Sequence, residues 1–387
     1  MKNKCIRKWV SVFLASAIAM TGLPVPFAPV ALKAAENTTV VSDTGDRTVN
    51  FNPDWKFILD SEGNMKADGI DYDDSAWENV SVPHDFSITQ EQSNDYEAES
   101  GFFPGGTGWY RKTAVFPSSY AGKTIVLNFD SVYNNAYVYI NGEKVGEHHY
   151  GYTDFSFDIT DLVSCDGKTE NVIAVKAVNE FPSSRWYSGS GIYRDVTLVV
   201  TDPVHVAKNG TYVTTPDLAE QKDGAVDVQI ETTVQNDKGS DTAASVRTTI
   251  EDADGRVVSD AVGQDNVSVP AGGTASVSQT LTVTRPELWD CENPNLYYVK
   301  TEILSGGKVV DTYETEFGFR YIGYDGATGF QLNGQNVKLK GVCMHHDQGA
   351  LGAASYRDAV YRQVRILKEM GCNSIRSSHN APGRVLI

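Results

Sequence analysis

Apolar residues recur at every second position through most of this chain. Ile125, Leu127 and Phe129 do so, then Ala136, Val138 and Ile140, then Ile173, Val175 and Ala177, then Val196, Leu198 and Val200. A period of two places one side of each segment in a core, the mark of half-buried strands. Asn141-Gly142 closes the second run, and both residue types tolerate the positive φ of a tight hairpin turn. No helical period competes, so residues 45–202 read as an antiparallel sandwich of jelly-roll type. Asp202-Pro203 reads as a linker. Beyond it Val226, Val228 and Ile230 alternate, as do Val246, Thr248 and Ile250 before a turn at Asp254-Gly255. Leu281, Val283 and the run from Tyr297 to Ile303 continue the habit, and residues 203–319 fit a small immunoglobulin-like sandwich.

The pattern changes near Tyr321. Phe330 and Leu332, the turn Asn333-Gly334, then Val337 and Leu339 predict a hairpin, and a further strand runs through Gly341 to His346. Val360, Val364 and Leu367 share one face at the 3.6-residue period, which predicts a helix from Tyr356 to a stop at Gly371. Ser355 with Asp358 three positions on resembles a capping box. Residues 373–379 read as the next strand. Strand, helix, strand at this length is a βαβ unit with parallel strands. Residues 320–387 fall far short of the roughly 250 that a closed (β/α)8 barrel takes, so the expectation is a truncated barrel start and a fragment of a longer protein.

Charge and composition narrow the partners. With 33 Lys+Arg against 50 Asp+Glu the net charge is −17, which repels phosphate backbones and anionic lipid and argues against nucleic-acid or membrane-surface roles. Aromatics make up 10% of the chain, including 19 Tyr and 6 Trp. That suits sugar stacking, although all-β sandwiches use these residues in strands in any case. Lys2, Lys4, Arg7 and Lys8 precede an apolar run from Trp9 to Met20, then small residues up to Ala34-Ala35. Residues 1–35 therefore read as a secretory signal peptide, and a secreted or cell-surface protein without a membrane span is expected. The remaining cysteines, Cys165, Cys291, Cys343 and Cys372, are widely spread and suggest neither a disulfide framework nor a zinc site.

Four segments carry a more specific likeness: Gly108 to Arg111, Ser184 to Asp195, Leu288 to Tyr297, and Gly341 to Ala354 followed by Arg376 to Asn380. In this order the sequence resembles the glycoside hydrolase family 2 β-galactosidases, which have a jelly-roll domain, an immunoglobulin-like domain and a catalytic (β/α)8 barrel. The resemblance implies hydrolysis of terminal β-D-galactosides in oligosaccharide or glycan substrates, with retention of configuration. It also implies that His345 and His379 contact the sugar, that Arg376 keeps the nucleophilic carboxylate ionised, and that Arg185 holds a sugar hydroxyl, with Asn380 a further binding residue. Independently, His345 and His379 end adjacent predicted strands, at the rim where barrel sites form. Neutral imidazole both donates and accepts, which suits hydroxyls. His346 should face away from His345, since neighbouring strand residues point to opposite sides.

Plainer readings stand beside these. A rim histidine can bond only to a neighbouring loop, Arg376 can pair with any barrel carboxylate, and Trp186 and Tyr187 can pack beneath their loop. Gly189 and Gly191 would let that loop's backbone approach closely. Some relatives carry an acidic residue near the Arg185 position that serves a monovalent cation, and its replacement here counts against a sodium site. The family's two catalytic glutamates lie on later barrel strands. No Asn-Glu dipeptide occurs after residue 320, so this span holds no catalytic carboxylate and is expected to be inactive alone. No cofactor is visible, and a magnesium requirement of the complete enzyme stays open. The alternatives are a non-catalytic carbohydrate-binding or adhesion protein, or a β-glucuronidase or β-mannosidase of the same family.

Overall fold

The computed structural model describes residues 38–181, 183 and 185–387; the expected signal peptide lies outside them. The first sandwich has a seven-stranded and a four-stranded sheet. In the larger one Gly106–Val115 pairs with Trp55–Asp60 on one side and Asn171–Asn179 on the other, and Asn171–Asn179 continues to Asn135–Ile140. The smaller sheet centres on Thr124–Phe129 against Val196–Thr201. Alternating residues of the two sheets meet in one core, where Phe86, Tyr110, Leu127, Phe129, Val138, Val175 and Leu198 are wholly buried. Each such side chain contributes about 1.5–3 kcal/mol through burial. Asn141 and Gly142 adopt φ of 50° and 82°, as the hairpin dipeptide requires.

The second sandwich packs a three-stranded sheet, built on Ala225–Asn236, against a four-stranded one built on Thr242–Asp252 and Tyr297–Ser305. Its strands fill two clusters, one around Val228, Ile230 and Val299, the other around Val206, Val246 and Ile303. The Asp202-Pro203 junction is a staple more than a linker. Lys123 Nζ sits 2.5 Å from the Asp202 carboxylate, Thr124 Oγ1 donates to Asp237, and the Asp237 amide donates to the Pro203 carbonyl. Arg47 of the first sandwich pairs with Asp311 of the second, whose carboxylate also accepts the Val206 amide. Polar groups half-withdrawn from water on both sides hold the two sandwiches at one angle.

After a small antiparallel sheet that includes Ile322–Asp325 and Gly329–Leu332, the chain forms the strand–helix–strand unit. Gly341–Met344 and Ser374–Ser377 pair in parallel with Cys343 opposite Arg376, joined by the helix Arg357–Glu369. Val360 is buried on the helix's inner face, with Val364 and Leu367 half-buried, and Gly371 at φ 90° follows its end. The helix start departs from the capping-box expectation. Tyr356 is the N-cap and no side chain caps the helix. The Ser355 amide instead donates to the Tyr193 carbonyl of the first sandwich, so a tertiary contact has taken over the segment that local capping would have used. No described helix is long and apolar enough to cross a membrane.

Candidate functional site

The parallel strands carry His345 and His379 off the same end. Their imidazoles meet edge to face with centroids 5.5 Å apart, His345 half-buried and His379 exposed. Below them, on the face carrying Cys343, Arg376 Nη1 lies 3.5 Å from Cys343 Sγ and draws that thiol's pKa below its ordinary value. Arg376 is thus on the same strand pair as the histidines, one layer down. Asn380 lines a cavity of about 30 Å3 together with His345, His346 and Arg194, room for about one water molecule. Arg185 is exposed and lines a different, smaller cavity with Phe103, Asn179 and Tyr187. The structure therefore gathers His345, His379 and Asn380, and puts Arg185 with the loop behind them.

His346 turns the other way, as strand geometry demands. Its ring packs 5.6 Å from both Tyr152 and Tyr193, and Nε2 lies 3.4 Å from the Ser188 carbonyl. Burial pushes its pKa down to about 4, so it is neutral at ordinary pH and serves as a wedge between the βαβ unit and the first sandwich. Arg194 completes that seam. Its guanidinium, buried over the Tyr193 ring, donates to the carbonyls of Tyr152 and Ala381.

The seam's centre is Asp85, which the motif reading did not single out. Asp85 is 2% exposed, and its carboxylate accepts four hydrogen bonds: from the amides of Ser87, Ser190 and Ala353 at 2.8–2.9 Å and from the Tyr187 hydroxyl at 2.6 Å. One oxygen pair thereby ties the first sandwich, the 185–195 loop and the segment following His345. Burial still raises the Asp85 pKa above the usual carboxylate value, against the lowering effect of those donors. Gly189 and Gly352 both sit at positive φ, and a Cβ on either would meet Asp85 Oδ2 at 2.5 and 2.2 Å. Close backbone approach is what glycine supplies here. The sequence signal, visible in hindsight, is an acid placed between Val82 and Phe86 in an otherwise core-forming stretch.

Trp186 and Tyr187 have separate fates. Tyr187 packs under its loop as one reading held, whereas Trp186 is 57% exposed with its ring centroid 6.1 Å from that of His345. Asn179, followed by Glu180 in an Asn-Glu dipeptide that lies far in sequence from the barrel strands, is buried and donates to Gly189 O and Ser190 Oγ, so it anchors the loop. Among the described residues, no three His, Cys, Asp or Glu side chains converge as metal ligands.

Comparison with known proteins agrees with the order of the two sandwiches. The sequence model for the sugar binding domain of glycosyl hydrolases family 2 matches residues 48–203, and the model for glycosyl hydrolases family 2 matches 204–320. The chain belongs to glycosyl hydrolase family 2. Within the family it is 42% identical over 341 residues to a β-galactosidase of Bacteroides ovatus, covering 87% of this chain and 39% of that protein. A β-glucuronidase of Formosa agariphila is 33% identical over 374 residues, covering 89% of this chain and 37% of its own length. The crystal structure of a family 2 member from Bacteroides cellulosilyticus superposes with a TM-score of 0.80 at 37% identity, covering 88% of this chain and 46% of that one. The chain thus spans about two fifths of the length of the curated relatives it matches.

Proposed function

We propose that this chain is the N-terminal part of an exported retaining glycosidase that hydrolyses terminal β-D-galactosides. The observation that carries the reading is the edge-to-face pair His345–His379 at the common end of two parallel strands. Neutral imidazoles offer an N–H donor and a lone-pair acceptor each, and two of them at a fixed angle match adjacent hydroxyls of one pyranose. Retaining hydrolysis needs two carboxyl groups about 5–5.5 Å apart, one protonated and one ionised. Those groups would come from outside this span, while the histidines bind and orient the sugar whose bond is cut. Arg376, one layer below, would help to keep a nearby carboxylate ionised.

Galactoside over glucuronide rests on the β-galactosidase relative. A glucuronidase would require a cation facing the substrate carboxylate. That cation, like the two catalytic carboxyl groups, would come from outside this span. Export rests on the basic and apolar order of the first 35 residues.

The complete gene product is assayed on nitrophenyl β-galactoside, β-glucuronide and β-mannoside, together with His345→Ala and His379→Ala. The expected result is preference for the galactoside, with kcat/KM lower by roughly 100-fold in each variant. A glucuronide preference, or variants that keep full activity, overturns the assignment.

A further inference from the structure

Trp186 stands out as a large aromatic side chain left 57% exposed beside the proposed sugar-binding histidine pair, on a different domain from it. Its contact with His345 is tilted, at 57° between ring planes and 6.1 Å between centroids. That contact is not a stack, and more than half of the residue's surface stays exposed.

The backbone on the C-terminal side of the ring is held. The Trp186 carbonyl accepts the Ser188 hydroxyl at 2.9 Å, and Ser188 Oγ is itself 2.6 Å from the Tyr152 hydroxyl. The next residue, Tyr187, is fixed through its hydroxyl to the buried Asp85 and through its ring to Phe103 at 6.1 Å. An exposed ring on a pinned backbone loses little conformational freedom when a ligand arrives, so its stacking energy is realised in full. By contrast, the adjoining Tyr187 spends its ring and hydroxyl within the protein. The two neighbours share one loop, and only Trp186 faces outward beside the histidines.

From this we infer that Trp186 forms a stacking platform for the sugar on the leaving-group side of the scissile bond, a subsite contributed by the first sandwich. The inference rests on the functional reading above in one respect. If the histidines hold a terminal residue, an adjoining sugar can only be the one being released. The ligand class is a neutral pyranose ring presenting its C–H face, which aromatic planes recognise without a charge.

The test uses the complete gene product and two substrates, methyl β-galactoside, which has no second ring, and lactose, which has one. Trp186→Ala is expected to raise KM for lactose roughly 5- to 10-fold, in line with the worth of an aromatic contact, and to change KM for methyl β-galactoside less than twofold. Trp186→Tyr should recover most of the lactose loss, and kcat should move little in either variant. Equal effects on both substrates overturn the subsite, because they place Trp186 on the terminal ring or in the fold. No effect on either overturns it as well. A wild type that prefers another glycoside overturns the galactosidase reading instead, and the subsite is then judged by the same methyl-glycoside-to-disaccharide comparison on the preferred sugar. A wild type that cleaves no glycoside overturns both.

Discussion

The first sandwich and the βαβ unit obtain their positions by different means. In the sandwich, the strand Asn171–Asn179 has seven of its nine residues buried, and its neighbours on either side share one apolar core. In the βαβ unit, Gly341–Met344 alternates between exposed and half-buried residues, and Cys343 and Arg376 face outward. Most of what is buried there is the connecting segment, Gly352 to Ala354, pressed against Asp85 and Tyr193. A core holds the one, and a polar seam holds the other.

That contrast can be broken from each side. The largest effect is expected in the core: Leu127→Ala should cost about 2–5 kcal/mol in denaturant unfolding, since it empties a wholly buried site. Asp85→Ala should cost about 2–4 kcal/mol by leaving the Ser190 and Ala353 amides without their acceptor. Its distinctive readout is proteolysis: residues beyond about 340 should become cleavable while the first sandwich stays resistant. Equal sensitivity of both regions would mean that Asp85 is an ordinary core contact and that the seam is not separable.

The seam should also respond to pH. His346 has a folded pKa near 4, below the 6.5 of the free side chain. The unfolded form therefore binds a proton more readily between these values. The associated stability is whole above pH 6.5 and is lost as pH falls toward 4, on the order of 2 kcal/mol by pH 5. Asp85, with its raised pKa, acts in the opposite sense, so the informative quantity is the difference between the wild type and His346→Phe. The wild type should lose seam protection in hydrogen exchange between pH 6.5 and 5 more steeply than the variant; parallel curves would remove His346 from the account. The smallest effect is Tyr187→Phe, which gives up one hydrogen bond to Asp85 and should cost about 1–2 kcal/mol.

The same contrast explains what could be read in the sequence. Strands such as Thr124–Phe129 and Asn135–Ile140 follow from a period of two because their burial repeats along the chain. His345 and His379 were legible because each ends a predicted strand, and parallel pairing of those strands brings the ends together. Asp85 repeats nothing. Its donors lie 102, 105 and 268 residues away, apart from the local Ser87 amide, and no local pattern encodes contacts of that range. The outward turn of Trp186 and inward turn of Tyr187 were equally hidden, since only the position of Asp85 decides which aromatic finds a partner. The Ser355 cap failed for a related reason: a distant carbonyl competed for the segment.

The distance in sequence between Asp85 and Ala353 also orders events during translation. A ribosome adding about 5–20 residues per second delivers Ala353 roughly 8–32 s after Tyr193, the last residue of the surface it docks on. Small sandwiches fold within milliseconds to seconds. The surface bearing Asp85, Tyr152 and Tyr193 is therefore finished well before the segment that docks on it emerges, and the nascent chain meets a ready mould for its next turn.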